Sequence, residues 1–269
     1  VRPSERRKMT EISCEGVFPF VAGHRTGTLL FCFHHAGGSA SVYRGWVGVN
    51  PSIDVVPVEL PGKATRRREK WVSDFDKLAD MCATEIVDLA AGAPIALYGH
   101  SMGAALAYQV AACLQQMHRP TIPEAVVVAA RQAPGETVPG EYHSSMGFGA
   151  LRREFEKVGG TPPEILANDD VMKLLLADIR RDYVLHEGFH HAPTVLRSPV
   201  LALAGDSDPA VSPEMLSRWE NFTSGSFELK VLPGGHFFPL DTGTEFLDLL
   251  AGFLAGITGN TAWLARNNA

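Results

Sequence analysis

Apolar runs alternate along this chain with segments whose apolar residues recur at helical spacing. The runs that predict buried strands lie at 28–33, 53–60, 94–98, 125–130, 199–204 and 227–232. Apolar residues at helical spacing predict an amphipathic helix over 75–89, and further helices are predicted at 104–114 and 244–254. Strands that alternate with helices are typical of a mostly parallel central sheet with helices on both faces.

One stretch interrupts this alternation. Residues 135–196 show no strand pattern but contain two helical patterns, at 146–158 and 169–184, with the sequence GGTPP between them. A helical insertion between two strands of a sheet is typical of a lid over an active site. The pattern therefore predicts a single α/β domain over residues 1–269, with a helical lid insertion at 135–196.

Composition and charge indicate a globular domain and argue against some classes of partner. The 269 residues are 45% hydrophobic and 20% charged, which is the balance of an ordinary globular domain. The net charge of −6 argues against a nucleic-acid partner. No apolar run is long enough to span a membrane, and no apolar region of a signal peptide follows the basic N-terminal segment.

The spacing of the cysteines bears on whether the protein's compartment is reducing or oxidising. Cys14, Cys32, Cys82 and Cys113 show neither a CxxC pair nor the spacing of a zinc site. We interpret them as free thiols, because cysteine packs well as a small apolar residue. Free thiols suit a reducing compartment, so we expect a cytoplasmic protein.

The strongest chemical signal is a GxSxG sequence at residues 99–103. It directly follows the predicted strand 94–98 and precedes the predicted helix, which is the strand–turn–helix context of a nucleophilic serine in the α/β-hydrolase fold. The turn is so tight that the residues two before and two after the serine must lack bulk, hence Gly99 and Gly103. The helix dipole favours negative charge at Ser101. We predict Ser101 as the nucleophile of an α/β-hydrolase.

The order of a triad in this fold is serine, then acid, then histidine. His236 lies in a glycine-containing loop after the last predicted strand and is the predicted base. Asp206 and Asp208 both follow the preceding strand and compete for the role of the acid. We favour Asp208, which lies deeper in its loop and precedes Pro209. Asp206 would then hold loop amides in an Asx-type turn.

An oxyanion hole requires preorganised N–H donors. One is predicted to be the amide of Met102, directly after the nucleophile, and the other the amide of Ala36, in the loop after strand 28–33. His34 and His35 point to opposite sides as strand neighbours, so we expect no shared metal ion there, and we interpret His190 and His191 in the same way. The sequence predicts neither a metal nor a cofactor site.

These motifs resemble the type II (editing) thioesterases that accompany polyketide and nonribosomal peptide synthetases. The stand-alone medium-chain thioesterase of animal fatty-acid synthesis is also similar. The matching segments extend from about residue 16 to 254, and they include FCFHHAGGSASVYRGW, VVPVELPGK, IALYGHSMGAALAYQVA, ARQAP, PVLALAGDSDPAVSPE and PGGHFF. Family-like spacing between the motifs supports Asp208 over Asp206. The chain departs from the family at His34, where proline is usual, and at Lys63, where arginine is usual.

The resemblance implies hydrolysis of acyl groups from the phosphopantetheine thiol of acyl or peptidyl carrier proteins, through an acyl-enzyme on Ser101. The phosphopantetheine belongs to the substrate, so the enzyme itself needs no cofactor, and we expect a monomer. Carrier proteins are typically acidic, and three arginine clusters are candidates to contact them: Arg66, Arg67 and Arg68, then Arg152 and Arg153, then Arg180 and Arg181.

Two other interpretations share these residues. A carboxylesterase acting on small free esters would use the same triad, although the HAGG and PGK segments favour the thioesterase. A non-catalytic binding protein on a hydrolase scaffold is disfavoured by the intact set of Ser101, Asp208 and His236.

Overall fold

Six parallel strands form the central sheet, in the order β2-β1-β3-β4-β5-β6. The structure is a computed structural model that describes residues 16–21, 27–136, 142–161, 163–189 and 194–259. The strands are β1 Thr28–Phe33, β2 Ile53–Pro57, β3 Ile95–His100, β4 Val126–Ala129, β5 Val200–Gly205 and β6 Phe227–Leu232. All six predicted strands are present, and the fold class is confirmed.

Two predicted strand ends differ from the structure by two residues or more, and others differ by one residue. The strand predicted at 53–60 ends at Pro57, although the amide of Val58 still donates to the carbonyl of Cys32. The strand predicted at 94–98 continues to His100, two residues into the GxSxG motif. It continues because Gly99 pairs with Phe33 on one side and His100 pairs with Ala129 on the other.

Eight α-helices accompany the sheet in the described part of the chain. They are α1 Phe75–Ala90, α2 Met102–Gln116, α3 Phe148–Val158, α4 Pro163–Leu166, α5 Asp169–Glu187, α6 Pro213–Ser217, α7 Phe238–Asp241 and α8 Thr244–Thr258. The five long helices match the predicted ones, with ends shifted by a few residues. The sequence did not reveal α4, α6, α7 or the 3-10 helices, which are too short to show a period.

Alternate residues of each strand face the two sides of the sheet, and each side has its own core. On one side Leu29, Phe31 and Leu97 pack with residues of α1 and α2. On the other side Leu30 and Tyr98 pack with residues of α8 and of the 3-10 helix Ala40–Trp46. Both faces of the inner strands β1, β3, β4 and β5 are therefore covered, which explains why these strands read as nearly continuous apolar runs, whereas the edge strand β6 is only partly buried.

The strand order places the functional loops. β1 lies between β2 and β3, so the chain connections on its two sides lead to opposite faces of the sheet. Loops at the carboxyl ends of strands diverge at such a switch point and leave a crevice, which is where ligands bind in open α/β sheets. The HHAGG loop follows β1 and the GxSxG turn follows β3, so both lie at this crevice.

Helices α3, α4 and α5 lie between β4 and β5 in the chain, within the insertion predicted at 135–196. They enclose a small apolar core of their own, formed by Tyr142, Leu151, Met172, Leu176 and Ile179. Gly159 and Gly160, between α3 and α4, both have positive φ. None of the helices in the described part of the chain is both long and apolar enough to cross a membrane.

Candidate active site

Ser101 occupies a strained turn between β3 and α2. Its φ of 56° and ψ of −118° lie outside the regions that residues with a side chain prefer. The amide of Ser101 donates to the carbonyl of Ala129 at 2.8 Å, which ties the turn to β4. A Cβ atom at Gly99 would collide with the carbonyl of Gly103, and one at Gly103 would collide with that of Phe33. The predicted need for glycine at both positions is confirmed.

His236 and Asp208 come from neighbouring loops and form a direct pair. Nδ1 of His236 lies 2.8 Å from Oδ2 of Asp208, whose side chain is fully buried. The other oxygen of Asp208 accepts the amides of Ala210 at 2.8 Å and Val211 at 3.3 Å. The carboxylate is thus held by its own loop, and it holds the imidazole with Nδ1 as a proton donor, which leaves Nε2 free to act as a base.

Asp206 joins the two loops rather than contacting the imidazole. Its Oδ1 accepts the amide of Gly234 at 3.0 Å, and the amide of Ser207 donates to the carbonyl of Gly234 at 3.1 Å. The sequence predicted that Asp206 holds loop amides, and the structure places it on an amide of the histidine loop. The separation between the acid loop and the histidine loop is fixed by this pair of bonds.

Two further histidines flank His236, and sequence reasoning had given neither of them a place beside it. Nε2 of His100 lies 2.8 Å from the carbonyl oxygen of His236, and the His35 and His100 rings pack edge to face at 5.3 Å. Burial lowers the pKa of His35 to about 4 and holds the pKa of His100 well below its usual range. Both rings therefore stay neutral at physiological pH, and neither adds positive charge beside His236. Its place directly before the serine of GxSxG was the only signal for His100.

The residues predicted to supply the oxyanion donors, Ala36 and Met102, line the cleft that contains Ser101. Met102 begins α2, so its amide has no acceptor within the helix. Ala36 lies in the loop after β1, and both residues line the same cleft as Ser101 and His236. The structure therefore brings together all five residues predicted from the sequence.

The cleft at Ser101 comprises about 570 Å³ of empty space that is partly open to solvent, and a second part, which shares lining residues with it, comprises about 350 Å³. Ser101, Ala36 and His236 line both parts. The insertion contributes Glu154, Val158 and Tyr183 to both, and His186 to the larger one. Polar residues also line the larger part, namely Arg131 and Gln132. The cleft is thus shaped jointly by the sheet and the inserted helices.

The prediction that Arg66 is a docking residue is wrong. Arg66 is only 6% exposed, and its guanidinium donates to the Glu69 carboxylate at 2.8 and 2.7 Å and to the Glu59 carbonyl at 3.0 Å. Arg66 therefore stabilises the loop from inside and is not available to a partner. Its neighbours Arg67 and Arg68 are exposed.

The arginines of the inserted helices have mixed surroundings. Arg152 pairs with Asp169 at 2.8 Å and with Glu156 at 3.1 Å, and Arg181 pairs with Asp178 at 3.4 Å. Nε of Arg180 donates to the carbonyl of Ser144 at 3.1 Å. Arg153 is exposed and lies next to Glu154 of the cleft.

The histidine pairs do not form a metal centre where the structure describes them. Nδ1 of His34 bonds to the carbonyl of His35 at 2.8 Å, and Nδ1 of His35 bonds to the carbonyl of Ala36 at 2.9 Å. Within the described ranges no group of three His, Cys, Asp or Glu side chains is arranged to hold a metal ion. His190, His191 and Cys14 lie outside the described residues.

The strained serine between β3 and α2, the paired His236 and Asp208 and the parallel sheet define an α/β-hydrolase. Residues 28–254 match the Thioesterase domain family, so the chain belongs to the thioesterases. It is therefore a thioester hydrolase of the serine-hydrolase type.

Several individual thioesterases are similar to this chain. Thioesterase PikA5 of Streptomyces venezuelae is 34% identical over 78% of this chain and 74% of its own length. Among solved structures, RedJ, the thioesterase of the prodiginine biosynthetic pathway in Streptomyces coelicolor, is 32% identical with a TM-score of 0.74, over 86% of this chain and 90% of that one. YbtT, a type II thioesterase of the yersiniabactin NRPS/PKS pathway, is 27% identical with a TM-score of 0.76, over 87% and 95%. The predicted resemblance to type II thioesterases is confirmed.

The glycine contacts at the serine turn predict a large loss of stability on substitution. Gly103→Ala is expected to lower the free energy of unfolding by about 3 kcal/mol or more, because the added methyl overlaps the carbonyls of Phe33 and His34. Gly256→Ala in α8 is the matched control, because nothing lies within 4 Å of its Cβ position. This substitution should raise the free energy of unfolding by as much as about 1 kcal/mol. Urea unfolding measures both, and equal stabilities would contradict the close contact.

The buried histidines predict a loss of stability in mild acid. Burial lowers the pKa of His34 to about 3, whereas an unfolded histidine binds a proton below about pH 6.5. The unfolded chain therefore gains protons first, and stability falls as the pH falls from 6.5 towards 3. Between pH 7 and pH 5 the contribution of His34 is about 2 kcal/mol. In His34→Gln, the free energy of unfolding measured with urea should fall by about 2 kcal/mol less between pH 7 and pH 5 than it does in the wild type. An unchanged pH dependence would contradict the lowered pKa of His34.

Proposed function

We propose that this chain hydrolyses acyl groups from the phosphopantetheine arm of carrier proteins in polyketide or nonribosomal peptide biosynthesis. Ser101, His236 and Asp208 form its catalytic triad. The observation that carries this proposal is the His236–Asp208 pair in a cleft that also contains Ser101 and is roofed by inserted helices. Its similarity to RedJ and YbtT, thioesterases of such pathways, supports the choice of substrate.

In the first step Oγ of Ser101 attacks the carbonyl carbon of the thioester, and its proton passes to Nε2 of His236. Asp208 stabilises the resulting imidazolium through Nδ1. The amides of Ala36 and Met102 stabilise the oxyanion of the tetrahedral intermediate. The C–S bond then breaks and leaves an acyl group on Ser101. The phosphopantetheine leaves as a thiolate, which needs little help to depart and then takes the proton from His236, so that the imidazole is neutral again.

In the second step water hydrolyses the acyl-enzyme. Neutral His236 takes a proton from the water as the oxygen attacks the ester carbonyl, and the same amides stabilise the second oxyanion. Collapse of this intermediate breaks the bond to Ser101 Oγ, which recovers its proton from His236. The products are a carboxylic acid and the free serine, so the triad supplies all the chemistry without a metal or cofactor.

The two parts of the cleft suit the two parts of the substrate. The acyl group would bind in the larger part, beside Gln132, His186 and Val211. The phosphopantetheine arm would enter through the smaller part, along Phe155 and Phe237. In this arrangement α3 and α5 act as the lid, and their side chains limit the length of the acyl group.

The proposal includes the compartment of the enzyme, its oligomeric state and its contact with the carrier protein. Cys32, Cys82 and Cys113 are free thiols, which supports a reducing, cytoplasmic setting. We expect a monomer that meets its carrier protein transiently. Among the predicted docking arginines, the exposed Arg67, Arg68 and Arg153 are candidates to contact an acidic carrier surface.

Replacement of the two candidate acids separates their roles. Asp208→Asn is expected to lower kcat by about 10⁴-fold, because an amide does not hold His236 in the required tautomer or stabilise its charge. Asp206→Asn should lower kcat less than about tenfold, since it only joins two loops. Steady-state hydrolysis of a small acyl thioester measures both. Similar losses for the two variants would contradict the assignment of Asp208.

Release from a carrier protein tests the substrate directly. A carrier loaded with acetyl, butyryl or longer acyl-phosphopantetheine is incubated with the wild type or with Ser101→Ala, and intact-protein mass spectrometry follows the acyl group. We expect rapid release by the wild type, faster than hydrolysis of the matching oxygen esters, and none above background by Ser101→Ala. Acyl groups that stay on the carrier while oxygen esters are hydrolysed would indicate a carboxylesterase instead.

A further inference from the structure

Three segments that are far apart in the chain meet at one buried carboxylate. They are the HHAGG loop after β1, the PGK turn after β2 and helix α5 of the insertion. Asp182, on α5, is 0% exposed and contacts both other segments. Its partners lie 145 and 119 positions away in the chain, so the contact exists only in the folded protein.

Oδ2 of Asp182 accepts two short hydrogen bonds, both of 2.6 Å. One comes from the backbone amide of Gly37 and the other from the ammonium of Lys63. Charge-assisted bonds of this kind are stronger and more directional than neutral ones. Oδ2 therefore fixes the Gly37 amide relative to both α5 and the PGK turn.

The Gly37 amide adjoins the predicted oxyanion donor. It belongs to the peptide unit whose carbonyl, that of Ala36, bonds to Nδ1 of His35. The preceding peptide unit carries the Ala36 amide, and its carbonyl accepts the Gly38 amide at 3.0 Å and bonds to Nδ1 of His34. Because N–H and C=O of a trans peptide point in opposite directions, these bonds set the direction of the Ala36 N–H.

Helix α5 can approach this loop only because residue 37 has no side chain. A Cβ atom at Gly37 would lie 2.7 Å from Cγ1 of Ile179, which is one turn before Asp182. The φ of Gly37 is also positive, at 80°. The glycine therefore permits both the loop conformation and the contact with α5.

The contact carries a cost that argues against a purely stabilising role. Oδ1 of Asp182 is buried and accepts no hydrogen bond among the described residues. Burial also raises the pKa of Asp182 despite the nearby Lys63. An apolar residue of similar volume would avoid these penalties, so the carboxylate contributes position more than net stability.

We propose that Asp182 is a positioning residue of the oxyanion hole: through Gly37 and Lys63 it aligns the Ala36 amide, and it makes that alignment depend on helix α5. The inference rests on the proposed hydrolysis at Ser101. It gives a common purpose to the HHAGG loop, the PGK turn and the inserted helix.

The test compares Asp182→Asn with the wild type on an acyl-N-acetylcysteamine thioester, which needs no carrier protein. We expect kcat to fall by about 10- to 100-fold while KM stays within about twofold. A trifluoromethyl ketone that forms a tetrahedral adduct with Ser101 should lose affinity by the same factor. A substitution that only loosened the fold would lower the melting temperature without this matched loss.

Two further variants keep the test decisive. Asp178→Asn on the same helix replaces an exposed aspartate and should leave kcat unchanged. Lys63→Met should lower kcat and ketone affinity in the same direction as Asp182→Asn, and Lys63→Arg should retain most of both. The amide proton of Gly37 should move upfield in the NMR spectrum of Asp182→Asn, because it loses its bond to a charged carboxylate.

The outcomes for Asp182 and for the proposed function are distinct. Wild-type kcat and ketone affinity in Asp182→Asn would overturn the positioning role and leave the thioesterase intact. A wild-type enzyme that neither hydrolyses the thioester nor reacts with a fluorophosphonate at Ser101 would overturn the proposed function itself.

Discussion

The active site depends on one strained residue, Ser101, held between a strand and a helix. A non-glycine residue at positive φ costs about 1–3 kcal/mol, which interactions of the neighbouring elements must offset. They do so because β3 is paired on both sides up to His100, and because α2 is buried along most of its surface. Glycines at 99 and 103 let the backbone pass close enough for this packing. In this turn Ser101 lines the cleft.

The imidazole of His236 has neutral histidine rings beside it and one carboxylate as its hydrogen-bond partner. His35 and His100 are held neutral by burial beside His236. Asp208 is buried but has three hydrogen bonds, two from amides and one from the imidazole. In a region of low dielectric, an imidazolium formed at His236 then interacts chiefly with Asp208. Neutral neighbours and one anchored carboxylate are sufficient to orient the base.

The inserted helices belong to the site as much as the sheet does. They supply one wall of the cleft, through residues such as Tyr183 and His186, and they reach the oxyanion loop through Asp182. The chain just after this loop is also held, since the buried carboxylate of Glu59 accepts the amide of Ala40 at 3.2 Å and the hydroxyl of Thr65 at 3.2 Å. In the proposed mechanism, access to the serine and alignment of the Ala36 amide are therefore linked through helix α5.

Local patterns in the sequence determined the strands, the long helices, the serine turn and the candidates for its partners. These features follow from periodicity and from the backbone freedom of glycine, which act over a few residues. The preference for Asp208 over Asp206 came from loop position and from family spacing, and the structure places Asp208 on the imidazole.

Only the tertiary structure decided which distant groups meet. It placed Arg66 inside the protein, although its sequence neighbours are exposed, because Glu59 and Glu69 lie where the loop folds back. It also brought His100 to His236 and Asp182 to Gly37, across 136 and 145 positions. Such contacts leave no periodic trace, because each depends on how separate elements pack and not on the residues beside it.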